Sequence, residues 1–121
     1  MYELKVRRSF AAAHQLRGYA GKCESLHGHN YVVEVMVRAE KLNEIGLAVD
    51  FKDIKNALDG LLDGLDHSYL NELEPFTRDN PSAENIAAAI YKALKPVVPA
   101  PAALAAVTVW ENDDAAATYW E

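Results

Sequence analysis

Tyr31, Val33, Val35 and Val37 fall on alternate positions, with Glu34 and Arg38 between and after them. Alternation with period two is the signature of a β-strand with one buried and one solvated face, and β-branched residues favour that setting. A strand over 29–39 must therefore lie in a sheet that is covered on one side. The spacing extends backwards into His27-Gly28-His29. If the strand begins there, His27 and His29 project from one face.

The rest of the chain supplies partners for that strand. Tyr2, Leu4, Val6 and Phe10 alternate with polar residues, predicting a strand over 2–12, although Arg8 interrupts its apolar face. Residues 14–28 read as a loop carrying Gly18, Gly21 and Gly28. Asp50 is a candidate N-cap for a helix to about residue 63, with Phe51, Ile54, Leu58, Leu61 and Leu62 as its apolar stripe. Gly60 weakens that helix and Gly64 can end it. Ser82 caps a second helix, with Ile86, Ala89, Ile90, Ala93 and Leu94 inward and Pro96 as its stop. After a Pro- and Ala-rich connector over 96–103, strands are predicted at 104–111 and 115–120, joined by Asn112-Asp113-Asp114. The order ββααββ predicts an α+β fold: a four-stranded antiparallel sheet with two helices on one face. Its second face and its edges stay open, and open edges need protection. Closure of several sheets into an oligomeric barrel would provide it, which makes a homo-oligomer the expected state.

A chain of 121 residues is expected to form one domain, 1–121. The formal charge of −6 disfavours nucleic acid or an anionic membrane as the main partner. A phosphorylated small molecule needs only local positive charge. No apolar run is long enough to span a bilayer. Met1 leads into a strand pattern without a basic segment followed by an apolar one, and the single cysteine forms no internal disulfide, so a cytoplasmic location is expected.

The chemistry-bearing residues cluster around Cys23-Glu24-Ser25-Leu26-His27-Gly28-His29. With His14, the pair His27 and His29 can complete a three-imidazole zinc site whose fourth position is open, as in catalytic zinc. Cys23 beside that position suggests proton transfer or nucleophilic chemistry. As a fourth ligand it would close the site and make it structural. Glu24 is either a surface carboxylate or a second acid/base that raises the thiol's pKa. Asp66-His67 can turn together toward a cleft, His67 as general acid/base and Asp66 orienting it, or His67 can serve as a C-terminal cap of the first helix. Glu111 is either solvated at a turn or placed to accept two parallel hydrogen bonds from a guanidine-like ring edge.

Cys23-x-x-x-His27-Gly28-His29-Asn30-Tyr31, His14 after Phe10-Ala11-Ala12-Ala13, Asp66-His67-x-Tyr69-Leu70-Asn71, Asn80-Pro81-Ser82-x-Glu84-Asn85 and Glu111 form an ordered set over nearly the whole chain. Together they resemble the 6-pyruvoyl-tetrahydropterin synthase family. The short C-x₃-H-G-H spacing is similar to its bacterial 6-carboxy-5,6,7,8-tetrahydropterin synthase branch. The resemblance implies a tunnelling fold (T-fold) and a homohexamer of two trimers, each closing a barrel, with active sites at subunit interfaces. It implies zinc on His14, His27 and His29, Cys23 as thiol acid/base, Asp66 and His67 as the proton relay, and Glu111 as the pterin anchor. The implied reaction converts 7,8-dihydroneopterin triphosphate to 6-carboxy-tetrahydropterin, acetaldehyde and triphosphate, towards queuosine and other 7-deazapurines. Lys22, Arg17 and Lys52 are candidates for the triphosphate. The Cys23-Glu24 pair resembles a dual-function subgroup, which keeps 6-hydroxymethyl-7,8-dihydropterin formation for folate as an alternative or second activity. The 6-pyruvoyl activity, a zinc hydrolase and a non-catalytic zinc-containing pterin-binding oligomer are further alternatives.

Overall fold

The computed structural model describes residues 1–20 and 25–121. Among these, the elements run β1 (Tyr2–His14), β2 (His27–Ala39), α1 (Phe51–Leu62), β3 (Ser68–Tyr69), α2 (Ala83–Leu94), β4 (Ala103–Asn112) and β5 (Ala115–Tyr119), with short 3-10 turns at Leu70–Glu72 and Lys95–Val97. The four expected strands pair antiparallel in the order β1-β2-β4-β5. The sheet departs from the four-stranded expectation by one addition. The two-residue β3 joins the outer edge of β1 in parallel, so the sheet is five-stranded and mixed. Nothing in a two-residue segment carries a readable period.

The core is made where inward positions of neighbouring strands meet. Val6 faces Val35, Phe10 faces Tyr31, Val35 faces Val107 and Val33 faces Val109. Tyr31, Val33, Val35, Val37, Val107 and Val109 are fully buried. Each such side chain contributes roughly 1.5–3 kcal/mol by leaving water. Arg8 stays on this face because its stem reaches α1, where Nε donates to Asp59 Oδ1 at 2.8 Å.

Both helices start at the predicted caps. Asp50 accepts from the Lys52 N–H, and Ser82 accepts from the Asn85 N–H. Their buried faces are narrower or rotated relative to the sequence pattern. In α1, Ile54, Leu58 and Leu62 are buried, Leu61 is half-buried and Phe51 is exposed. In α2 the buried face is Ala83, Ile86, Ala87, Ile90, Tyr91 and Leu94, while Ala93 is exposed and Ala89 half-buried. Small alanines gave no reliable direction there, and Tyr91 took the place of Ala93.

α1 packs on β1 and α2 on β4 and β5, so both helices lie against the sheet. No helix among the described residues is long and apolar enough to cross a membrane.

Candidate metal centre and active site

The inward rows of β1 and β2 change chemistry at one end of the sheet. On β2 the row Val37, Val35, Val33, Tyr31 continues as His29 and His27. On β1 the row Val6, Arg8, Phe10, Ala12 ends at His14. His14 lies directly opposite His27, and His29 lies opposite the small Ala12. Three imidazoles therefore converge because two strands of fixed register deliver them to one face. Each strand reaches two residues nearer the loop than 2–12 and 29–39 suggested, and this extension brings the rings together.

Backbone carbonyls set the orientation of two of these rings. His14 Nδ1 lies 2.7 Å from the Pro81 oxygen, and His27 Nδ1 lies 2.8 Å from the Ser25 oxygen. A carbonyl only accepts, so both Nδ1 atoms donate, and in the neutral rings both Nε2 atoms carry lone pairs. Those Nε2 atoms face each other at 2.9 Å. Two lone pairs at that distance repel unless a cation lies between them. One ligand atom from each of His14, His27 and His29 falls within 4.8 Å of the others. Metal-bound histidines characteristically donate their other ring N–H to a carbonyl or carboxylate. The residues thus fit a metal ion, and the all-imidazole donor set suits zinc or a similar divalent transition metal. Tyr31 floors the cluster, its ring edge-on to His14 and His29 and stacked on Phe10 at 4.9 Å.

Glu111 reaches this cluster through an irregularity. Trp110 pairs with Ala116 and Asn112 with Ala115, which leaves Glu111 as the extra residue of a β-bulge. A bulge re-aims a side chain, and the Glu111 carboxylate lies 4.0 Å from His14 Nε2. Its side chain is 30% exposed, which is not the fully solvated turn position considered above. It lines a depression of about 560 Å³ with Leu16, Ser82 and Ala115–Thr118.

Asp66 and His67 are held against β1. The Ala11 N–H donates to Asp66 Oδ1 at 2.8 Å, and the His67 N–H donates to the Ala11 oxygen at 2.6 Å. His67 adopts φ of +55°, a left-handed conformation that histidine tolerates better than bulkier residues. This turn brings His67 Nδ1 to 3.0 Å from Asp66 Oδ2, so adjacent residues form a carboxylate–imidazole pair instead of a helix cap. The Ala11 N–H, seconded by His67, holds the Asp66 carboxyl below its ordinary pKa against a smaller opposing effect of burial. His67 and His29 line one open depression of about 490 Å³ with Ala11–Ala13 and Asn30.

Cys23, Glu24 and Lys22 lie outside the described residues. Arg17 is engaged elsewhere: its guanidinium donates to the oxygens of Phe76 (2.6 Å) and Asn71 (3.3 Å). Lys52 sits in the first turn of α1, which follows the Ala39 end of β2, away from the imidazoles. Neither is positioned by these contacts as a phosphate ligand beside the cluster. Sequence reasoning also missed Asn71, Asn80 and the Pro81 carbonyl as structural partners of the His14 segment, although all three stand in the motifs.

A mixed α+β sheet, with a three-imidazole cluster that could hold a metal ion at the end of its two longest strands, defines a domain of the T-fold class. Residues 3–121 match the model of the family described as 6-pyruvoyl tetrahydropterin synthase, and the chain belongs to that family. It is 40% identical over 118 residues to a 6-carboxy-5,6,7,8-tetrahydropterin synthase of Synechocystis, covering 93% of this chain and 88% of that one. It is 35% identical over 108 residues to the dihydroneopterin monophosphate aldolase of Pyrococcus furiosus, covering 89% and 88%. The 6-pyruvoyl tetrahydropterin synthase structure of Caenorhabditis elegans superposes with a TM-score of 0.87 at 29% identity, covering 99% of this chain and 95% of that one.

Proposed function

We propose that this chain is a zinc-dependent 6-carboxy-5,6,7,8-tetrahydropterin synthase, a carbon–carbon and carbon–oxygen lyase acting on 7,8-dihydroneopterin triphosphate. The observation that carries the reading is the pair of facing Nε2 atoms, each ring locked by a carbonyl on its other nitrogen. The relatives named as 6-carboxy-tetrahydropterin synthases support the choice of reaction.

His14, His27 and His29 would hold a zinc ion, which when bound would supply Lewis acidity that makes C–H bonds beside the substrate's side-chain oxygens more acidic. Cys23 removes one such proton as thiolate. His67 gives or takes another at its ring nitrogen, with Asp66 holding the imidazole in orientation and stabilising its charged form. Glu111 accepts from the pterin's amino and ring N–H groups through two parallel hydrogen bonds. One water is consumed as the side chain rearranges: triphosphate leaves, and the carbon–carbon bond breaks to release acetaldehyde. The carbon retained on the ring is oxidised to the carboxyl level while the dihydropterin ring is reduced to tetrahydropterin, so no external redox cofactor is consumed.

The exposed His67, whose side chain is 83% accessible in the single chain, suits a site completed by a neighbouring copy. The reading takes the protein as a homo-oligomer, a hexamer of two trimers with interfacial sites, working in the cytoplasm and towards 7-deazapurines. Residues 1–121 form its one domain.

The Pyrococcus furiosus relative named as an aldolase favours a second reading. In it Glu24 takes the acid/base role and the product is 6-hydroxymethyl-7,8-dihydropterin. Mass-spectrometric product analysis of zinc-loaded protein with 7,8-dihydroneopterin triphosphate, under anaerobic conditions, separates the two. The 6-carboxy product is expected. The 6-hydroxymethyl product alone would transfer the assignment to the second reading.

A further inference from the structure

β1 ends at His14, yet the chain beyond it remains tied to its neighbours as though the sheet continued. The outer edge of β1 pairs with β3 through Ala12 with Ser68 and Ala13 with Tyr69. Two residues further on, the Asn71 carboxamide takes over. The Gln15 N–H donates to Asn71 Oδ1 at 2.9 Å, and Asn71 Nδ2 donates to the Gln15 oxygen at 2.7 Å. Two residues beyond that, Asn80 repeats the pattern on Arg17. The Arg17 N–H donates to Asn80 Oδ1 at 2.9 Å, and Asn80 Nδ2 donates to the Arg17 oxygen at 2.9 Å. A carboxamide offers one donor and one acceptor side by side, the same pair that a peptide group presents, so each asparagine substitutes for a rung of backbone ladder.

Asn80 has a second attachment. Its own carbonyl accepts from Asn85 Nδ2 at 2.9 Å, in the first turn of α2, and Ser82 caps that helix. The residue between these anchors is Pro81, and its buried carbonyl is the group that accepts from His14 Nδ1. Asn80 is thus fixed on one side to the strand extension of His14 and on the other to α2. The Pro81 oxygen is aimed at the imidazole by both ties.

We propose that Asn80 is a positioning residue for the His14 ligand: it holds the Pro81 carbonyl on Nδ1 and so keeps Nε2 bare and directed at His27 and His29. Asn71 supports the same segment one step nearer the ligand. The inference rests on the metal reading for its consequence, but its structural content concerns the tautomer of His14 and needs no metal.

The test uses the full-length protein and two readouts. In the first, ¹⁵N spectra of the histidine rings are recorded on metal-free protein at a pH well above the ordinary histidine pKa. Wild-type His14 is expected as the single Nδ1–H tautomer, and Asn80→Ala as a mixture. In the second, zinc alone is titrated in competition with a chromophoric chelator. Asn80→Ala is expected to bind about tenfold more weakly, in the lower range for loss of an outer partner of a metal-bound histidine. If Asn80→Ala does not fold, Asn85→Ala carries the test, because it frees only the Asn80 carbonyl; a smaller loss in the same direction and partial tautomer mixing are expected. An unchanged His14 tautomer in the folded variant overturns the proposal. Wild-type protein that keeps the Nδ1–H tautomer but binds no zinc overturns the metal reading and leaves the positioning role supported.

Discussion

His14 and His67 are delivered to the same end of the sheet by opposite means. His14 is 1% exposed, held by strand register, a carbonyl on one ring nitrogen and two neighbouring imidazoles. His67 stands on a left-handed loop residue with an 83% exposed side chain, and Asp66 is its one ion-pair partner among the described residues. A metal ligand benefits from the first arrangement, because a ring that is already oriented loses little freedom on binding. A proton carrier benefits from the second, because it must exchange with substrate and then reset. On the proposed function, the difference puts metal binding on the buried β-ladder and proton transfer on the exposed connection after α1.

The most direct way to break that division is His14→Ala. Zinc affinity should fall by more than about 100-fold, beyond the cost of losing an outer partner, and turnover should disappear with it. Equilibrium dialysis with metal analysis reads the first effect. Next come His67→Ala and His67→Gly. Both should lower kcat by about 10²–10⁴ with zinc stoichiometry unchanged, as expected for removal of a general acid/base. The glycine variant should be more stable than the alanine one by about 1 kcal/mol, because only glycine adopts φ of +55° without a Cβ penalty. Equal melting temperatures would remove the strain argument.

A third variant sharpens the contrast from the scaffold side. Val35 is fully buried on the strand that carries His27 and His29. Val35→Ala should cost about 2 kcal/mol of unfolding free energy, measured by urea denaturation, while zinc affinity in the folded protein stays constant. Loss of affinity in step with stability would mean that the cluster is not locally rigid.

The smallest effect concerns Asp66. Its carboxyl pKa is lowered below the ordinary aspartate value in the folded protein, first by the Ala11 N–H and then by His67. A depressed folded pKa contributes stability that is fully present above the unfolded pKa and is lost as pH falls through the folded one. Wild type should therefore lose stability relative to Asp66→Asn as the pH drops below about 4, and the two should run parallel above about 5. Parallel curves throughout the acid range would remove the carboxylate from this role.

The imidazole trio was legible in the sequence because alternation is a local property. His27 and His29 share parity with Tyr31 and the valines, and His14 continues the parity of Val6 and Phe10. Fold class and helix caps were legible for the same reason, since Asp50 and Ser82 act on residues two or three positions away. What stayed hidden depends on residues far apart in the chain. The docking of Asp66 on Ala11, the amide rungs of Asn71 and Asn80, and the parallel β3 all join segments more than 50 positions apart. The aim of Glu111 at His14 arises from a bulge, an offset between two strands that no single-strand pattern records. The helix faces drifted where alanines left the apolar stripe undirected.

X-ray absorption on the zinc-loaded protein tests the central claim most directly. The account predicts one zinc per chain with nitrogen and oxygen neighbours at about 2.0–2.1 Å and no sulfur, leaving Cys23 free for proton transfer. A sulfur neighbour at about 2.3 Å would contradict it, closing the site with Cys23 and making the zinc structural.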